Sequence, residues 1–191
     1  DLHQLQQKGI KCLVFDKDNT LSHTYTNEVH PSAISTLQSS KVIFGSESIA
    51  ILSNSVGTGD DVDYAMARET ENAMKIPVIR HEHKKPACMD EVLGHFARST
   101  GQAVAPSQIC MIGDRLLTDV VFANRYGMLS VLVAPLSHTQ DHPVAVVLRW
   151  LELQLLLPLV VKLGYRRDHH SSSSSSSRCS RSSSSIYHTY I

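Results

Sequence analysis

The chain has 191 residues, of which 42% are hydrophobic and 19% are charged. This composition is typical of one soluble globular domain and excludes a disordered chain. Its 18 basic and 18 acidic residues give a net charge of zero, which excludes a generally basic, nucleic-acid-binding surface. The four cysteines lack C-x-x-C spacing and are expected to be reduced core residues. Any anion-binding site must therefore be local.

Apolar, β-branched-rich runs alternate along the chain with stretches of helical character. The runs at 12–15, 49–52, 76–79, 109–112 and 129–133 are predicted to be strands. The stretches 60–74 and 86–100 predict helices, and Pro31 and Pro86 are each expected in a first helical turn. This alternation predicts an α/β fold with a parallel sheet flanked by helices.

Polar residues directly follow four of these runs. In open α/β sheets, ligands bind at the carboxyl ends of the strands, so these residues are expected to converge on one site although they are distant in sequence. They are Asp16 and Asp18, then Ser53 and Asn54, then residues 81–85, and finally Gly113 and Asp114.

The first pair, Asp16 and Asp18, has three interpretations. A calcium loop is excluded because Leu21 stands where the loop needs a glycine and Asn27 where it needs a closing glutamate. A capped strand-to-helix turn explains the pair alone but leaves the other strand ends unexplained. In a catalytic pair, Asp16 attacks phosphorus and Asp18 transfers protons, while a divalent cation offsets their repulsion. The sequence favours the catalytic pair.

The other strand ends supply the remaining groups that such a reaction needs. Asp114, in M-I-G-D-R-L-L-T-D, is expected to be a further metal ligand, and Asp119 is expected to support the metal or to orient Lys85. Ser53 and Asn54 provide neutral donors to a phosphate, and Lys85 provides a positively charged donor.

The four motifs D-K-D-N-T-L, S-N-S, K-P and G-D-R-L-L-T-D resemble, in this order, those of the haloacid dehalogenase (HAD) superfamily of phosphatases, over about residues 10–135. Together with A-N-R-Y-G-M, they are similar to the YqeG-like group and its mitochondrial relatives, the phosphatidylglycerophosphate phosphatases. The resemblance implies an HAD-like Rossmannoid sheet. The short stretches between the motifs leave no room for a large cap domain.

The resemblance also implies the chemistry. Asp16 is the nucleophile that becomes phosphorylated, Asp18 is the acid and base, and Mg²⁺ is bound by the Asp16 carboxylate, the Asp18 main-chain carbonyl and Asp114. The lysine before the proline, Lys85, is expected to bind phosphate together with the S-N-S serine, and Lys84 is kept as a supporting residue.

The implied enzyme is a phosphoric monoester hydrolase that converts phosphatidylglycerophosphate to phosphatidylglycerol in cardiolipin biosynthesis. The resemblance places it peripherally on the matrix side of the mitochondrial inner membrane. Two other functions stay open. One is a phosphatase without a cap that acts on a soluble phosphate ester or a phosphoprotein, and the other is a non-catalytic scaffold that docks on a membrane or a partner.

Three segments are predicted: the phosphatase domain at 1–142, a hydrophobic helix at 143–167, and a serine-rich tail at 168–191 that is disordered or an artefact and has no assigned function.

The hydrophobic segment can contact an anionic membrane surface, pack in a core or dimer, or span a bilayer. Arg149 and Glu152 would each cost about 2.5–3.5 kcal/mol at a bilayer centre, and Pro158 kinks the helix, so the sequence favours surface contact.

A basic stretch accompanies the third motif. Arg80, His81, His83 and Lys84 are expected to form either a basic rim around the site or an ordinary solvated loop.

Overall fold

A parallel four-stranded sheet forms the centre of the protein in a computed structural model that describes residues 1–137. The spatial order of its strands is β2-β1-β3-β4, so that β1 and β3 are the inner strands. All three strand pairs are parallel, which confirms the predicted α/β fold. The strands are β1 (Cys12–Phe15), β2 (Ile49–Ile51), β3 (Ile109–Gly113) and β4 (Leu129–Leu132).

Residues 76–79, predicted to be a fifth strand, lie beside β2 but form only one isolated bridge, between Ile51 and Val78. The Ile51 N–H donates to the Pro77 carbonyl, and the Ile79 N–H donates to the Ile51 carbonyl, at 2.8 Å each. Continuing this register would require an N–H from residue 77, which proline does not have. The prediction of a full strand is therefore wrong, although the segment still leads the third motif along the edge of β2.

Helices connect the strands on both faces of the sheet. Pro31 is in the first turn of its helix, as predicted, whereas Pro86 precedes a helix that begins only at Met89. The helix predicted at 60–74 begins at Ala65, because Asp63 and Tyr64 adopt the left-handed conformation, with φ of 52° and 53°. Within the described residues, the helices are α1 (Leu2–Gln7), α2 (Pro31–Phe44), α3 (Ala65–Met74), α4 (Met89–Thr100) and α5 (Val121–Tyr126).

Strand β1 is buried on both faces, because its alternating side chains belong to two different hydrophobic clusters. Leu13 and Phe15 pack in a cluster with residues of α2 and α3. Cys12 and Val14 pack in a second cluster with residues of α4 and α5. The carboxyl end of β1, which Asp16 follows, is therefore held in place from both sides of the sheet.

The connections between the motifs are short secondary-structure units. Residues 21–48 form α2, its flanking loops and a 3-10 turn, and residues 54–84 form α3 and its flanking loops. Among residues 1–137, no helix combines the length and hydropathy that crossing a bilayer requires. The hydrophobic segment 143–167 and the tail 168–191 lie outside the described residues.

Candidate active site

The first, second and fourth motifs meet at the carboxyl edge of the sheet. The Asp16 N–H donates to the Ile112 carbonyl of β3 at 2.8 Å, which places Asp16 beside the end of that strand and Asp114. The Leu52 N–H donates to the last carbonyl of β1 at 2.9 Å, so Ser53 begins its loop on the other side of Asp16. The parallel register of the strands thus gathers polar groups that are distant in sequence.

Lys85 connects the third motif to this edge. Its Nζ lies 2.6 Å from Asp16 Oδ1 and 2.6 Å from Asp119 Oδ1. The Lys85 side chain is 1% exposed, and both carboxylates are buried as well. Removing such charges from water costs several kcal/mol per ion unless close partners offset the loss. The two ion pairs therefore hold the ammonium group beside Asp16.

Burial and charge together shift the pKa values of this group. Burial raises the pKa of the Asp16 carboxyl to about 8, while Lys85 opposes the rise and Asp119 and Asp114 add to it. For Lys85, burial alone would lower the pKa, but the charges of Asp119 and Asp16 outweigh burial and raise the pKa above its ordinary value. Lys85 therefore stays charged, but its charge does not fully offset the burial and the neighbouring carboxylates that disfavour ionisation of Asp16.

Asp119 is held by three features of the fourth motif and its neighbours. Its Oδ1 accepts from Lys85 and its Oδ2 accepts from the Arg115 N–H at 3.1 Å. The same carboxylate lies directly against Gly113, where a Cβ atom would overlap it. Glycine at this position allows the close approach that the Asp119 ion pair requires.

The carboxylates of Asp16, Asp114 and Asp119 form a buried acidic cluster, in which one oxygen of each lies within 4.8 Å of the others. If all three carboxylates are ionised, the single ammonium of Lys85 leaves two negative charges, which one divalent cation would balance. Carboxylate oxygens are the preferred ligands of hard divalent cations. The residues present therefore fit a metal ion, and Asp119, expected to support the metal or to orient Lys85, lies in the cluster with Asp16 and Asp114.

Asp18 has different partners from Asp16. Its Oδ1 lies 3.1 Å from Lys17 Nζ, and its Oδ2 accepts a hydrogen bond from the Ser55 hydroxyl. The Ser55 Oγ is in turn 2.9 Å from Ser53 Oγ. The Asp18 side chain is 22% exposed, against 8% for Asp16. Asp16 is thus buried beside Lys85, whereas Asp18 is partly exposed and has Lys17 and a hydroxyl as partners.

Sequence reasoning missed Ser55 and Lys17. Ser55 stands two residues after Ser53 in S-N-S, and in an extended loop this spacing can place both hydroxyls on one side. Lys17 stands between the two aspartates, where a lysine is ordinarily expected in solvent, yet its side chain is 3% exposed. Both residues lie inside one of the four motifs, and this position was the signal that could have indicated a place in the site.

The two remaining predicted residues have structural contacts of their own. Asn54 Oδ1 accepts from the Lys85 N–H at 2.8 Å, so its side chain joins the second motif to the third. Lys84 lies outside the acidic cluster, and its Nζ pairs with Asp60 at 2.7 Å on the surface. Of the two neighbouring lysines, the structure brings Lys85 into the site.

Neither the basic rim nor the solvated loop expected around the third motif holds for His81. His81 is 1% exposed, because its ring packs between main-chain segments rather than in solvent. Arg80 is paired with Glu71 of α3. His81 is thus an internal side chain, whereas Arg80 is a partly exposed, ion-paired cation.

A parallel four-stranded sheet with helices on both faces is an α/β Rossmannoid architecture. Residues 1–136 match the family model described as mitochondrial PGP phosphatase, and the chain belongs to this family.

Three curated relatives support this assignment. The chain is 40% identical over 158 residues to phosphatidylglycerophosphate phosphatase 1, chloroplastic/mitochondrial, of Arabidopsis thaliana, covering 82% of this chain and 43% of that protein. It is 42% identical over 151 residues to phosphatidylglycerophosphate phosphatase 1, chloroplastic, of Chlamydomonas reinhardtii, covering 78% and 53%. It is 33% identical over 125 residues to phosphatidylglycerophosphatase GEP4, mitochondrial, of Saccharomyces cerevisiae, covering 65% and 67%. The chain thus spans about half the length of the plant and algal relatives.

Gly113→Ala is expected to destabilise the protein, because the new Cβ displaces Asp119 and leaves the buried Lys85 with one partner fewer. Breaking a buried ion pair costs about 3 kcal/mol or more, so urea unfolding should show a loss of that size. Gly59→Ala is the matched control, since a Cβ there meets its nearest atom only at 3.8 Å. Equal unfolding free energies for the two variants would contradict the proposed packing of Asp119.

The raised pKa of Asp16 predicts a pH-dependent stability in the absence of divalent cations. The folded-state pKa of about 8 exceeds the ordinary value of 3.8, so the contribution of this group is fully present below about pH 4 and is lost as the pH rises through 8. Unfolding of the wild type in EDTA should therefore become easier between pH 5 and pH 8. In Asp16→Asn this part of the pH dependence should disappear. Parallel pH profiles of the unfolding free energy for the wild type and Asp16→Asn would contradict the expectation.

Proposed function

We propose that this protein is a Mg²⁺-dependent phosphatase that hydrolyses a phosphate monoester through an aspartyl-phosphate intermediate. The observation that carries the proposal is the pairing of the buried Asp16 with Lys85 beside two further carboxylates, with a second, partly exposed aspartate two residues on. The substrate is phosphatidylglycerophosphate, converted to phosphatidylglycerol for cardiolipin biosynthesis. The names of the curated relatives support this substrate.

Asp16 performs the first chemical step. Its carboxylate oxygen attacks the phosphorus atom, the bond from phosphorus to the lipid oxygen breaks, and the phosphoryl group is transferred to Asp16. Lys85 Nζ, 2.6 Å from the attacking carboxylate, is placed to contact the phosphoryl oxygens and to offset their charge. Mg²⁺ held by Asp16 and Asp114, with the Asp18 carbonyl, would supply Lewis-acid stabilisation of the same oxygens.

Asp18 transfers the protons. It donates a proton to the departing lipid oxygen, and it later accepts a proton from the water that hydrolyses the aspartyl-phosphate, releasing inorganic phosphate and restoring Asp16. Its partial exposure gives that water access to the carboxylate. The Ser55 hydroxyl bonded to Asp18 Oδ2 fixes the orientation of the carboxylate next to Ser53, which donates to the phosphate.

The edge of the sheet that carries the site also carries exposed apolar side chains. Tyr25, in the loop after β1, is 81% exposed, and Val62, in the turn after β2, is 79% exposed. Both loops leave the carboxyl ends of neighbouring parallel strands, so they flank the same edge as Asp16. An amphipathic aromatic ring and an aliphatic side chain beside an open site favour contact with a membrane interface.

The partner of this edge is accordingly an anionic phospholipid surface. A substrate that stays in a bilayer must be reached from the membrane plane, and the described residues between the motifs place no inserted domain over the site. Two of the relatives described above carry mitochondrial in their names. These names support a mitochondrial location, where the resemblance of the four motifs implies peripheral association with the matrix side of the inner membrane.

The chemistry is tested by phosphate release from phosphatidylglycerophosphate in mixed vesicles, with Mg²⁺ and with EDTA. Asp16→Asn should lower the rate by about 1,000-fold or more, because an amide is a poor nucleophile of nearly the same shape. Asp60→Asn, the same substitution at an exposed carboxylate outside the cluster, is the matched control and should keep wild-type activity. Full activity of Asp16→Asn, or activity that EDTA leaves unchanged, would overturn the proposed mechanism.

The membrane-facing edge is tested with the double variant Tyr25→Ser/Val62→Ser. Its rate on the lipid in vesicles should fall by about tenfold, whereas its rate on soluble glycerol 3-phosphate should stay at the wild-type value. Val42→Ser is the control, because Val42 is 86% exposed but lies near the end of α2, which leads into the opposite edge of the sheet. If the double variant keeps its rate on vesicles, these two side chains do not dock the site on lipid.

A further inference from the structure

We propose that His81 is a positioning residue that holds the loops carrying Ser53 and Lys85 in register, an inference that rests on the function proposed above. Its imidazole is fully buried, so it does not contact a substrate. Its Nε2 lies 2.9 Å from the Ser53 carbonyl oxygen, and its Nδ1 lies 2.8 Å from the His83 carbonyl oxygen. One ring therefore touches the main chain of the second and the third motif.

The main chain of His81 strengthens this connection. Its N–H donates to the Gly57 carbonyl at 2.9 Å, so the loop 53–57 is bonded to His81 at both of its ends. Gly57 has a φ of +76°, and a Cβ there would lie 2.9 Å from the Ile79 carbonyl oxygen. The loop thus packs directly against the segment that leads to His81.

The chemistry of imidazole suits this position. The ring is rigid, and its two nitrogens point in different directions, so each nitrogen that carries a proton donates to the carbonyl it faces. A buried carbonyl without a donor carries a desolvation cost, so a ring N–H that donates to one of these carbonyls stabilises the loops around it. A phenyl ring of similar size fills the same space but donates to neither carbonyl.

A second connection lies beside the first. The Lys85 N–H donates to Asn54 Oδ1 at 2.8 Å. The Asn54 side chain therefore crosses the gap between the loops from one side, and the His81 ring crosses it from the other. Ser53 and Lys85 approach the phosphoryl group from these two loops. Because a misplacement of about 1 Å can cost about 100-fold in rate, the spacing between the loops directly affects turnover.

The kinetic test compares His81→Phe with wild type on glycerol 3-phosphate and on the lipid in vesicles, with rates expressed per folded molecule. We expect kcat to fall by about 10- to 100-fold on both substrates and orthovanadate to bind more weakly. His81→Gln, which keeps one amide donor, should recover part of the loss. His95→Phe on α4, where the histidine ring meets the Phe96 ring edge to face with centroids 5.3 Å apart, is the matched control and should keep wild-type kinetics.

The second test does not depend on activity. Hydrogen exchange of the full chain should be faster in His81→Phe at the amides of both loops, those of Ser55 and Lys85, and unchanged there in His95→Phe. Wild-type exchange at either loop, or wild-type kcat in His81→Phe, would overturn the proposal. If His81→Phe fails to fold, His81→Gln carries both measurements and should show smaller effects in the same direction. An inactive wild type would reject the proposed function, while the exchange rates would still decide the role of His81.

Discussion

The rest of the site depends on the two ion pairs that the buried Lys85 ammonium group forms with Asp16 and Asp119. A buried cation is stable only with close anionic partners, so the strand end that carries Asp16 and the turn that carries Asp119 must both be placed with ångström accuracy. Gly113 is needed because Asp119 approaches it so closely. The sheet register, the turn and the glycine thus all contribute to enclosing one charge.

The separate roles proposed for the two aspartates of the first motif follow from their different surroundings. Asp16 is enclosed with Lys85 and further carboxylates, where charge interactions are strong and a cation has a large effect. Asp18 is partly exposed and bonded to Ser55, where protons can exchange with water. A spacing of two residues at the end of a strand is enough to place one carboxylate in each environment.

The sequence was sufficient to predict the parallel sheet and the gathering of motif residues at its carboxyl edge, because strand patterning and strand ends are local properties. It was not sufficient for the partners of those residues. His81 was expected in a rim, and its burial depends on two main-chain carbonyls that only the folded loops bring to its ring. The failed strand at 76–79 has a local cause, Pro77, whose missing N–H was visible in the sequence but was outweighed by the apolar pattern.

The separation of the site residues along the chain has a consequence for how the protein folds. Lys85 is 69 positions from Asp16 and 34 from Asp119, so the central ion pairs close large loops of the chain. The conformational entropy of these loops is lost before the ion pairs can compensate for the loss. Topologies dominated by such distant contacts fold slowly. The three charges meet only after β1, the third motif and β3 have assembled. Recovery of the site during refolding is therefore a late event that reports the assembly of these three parts of the chain.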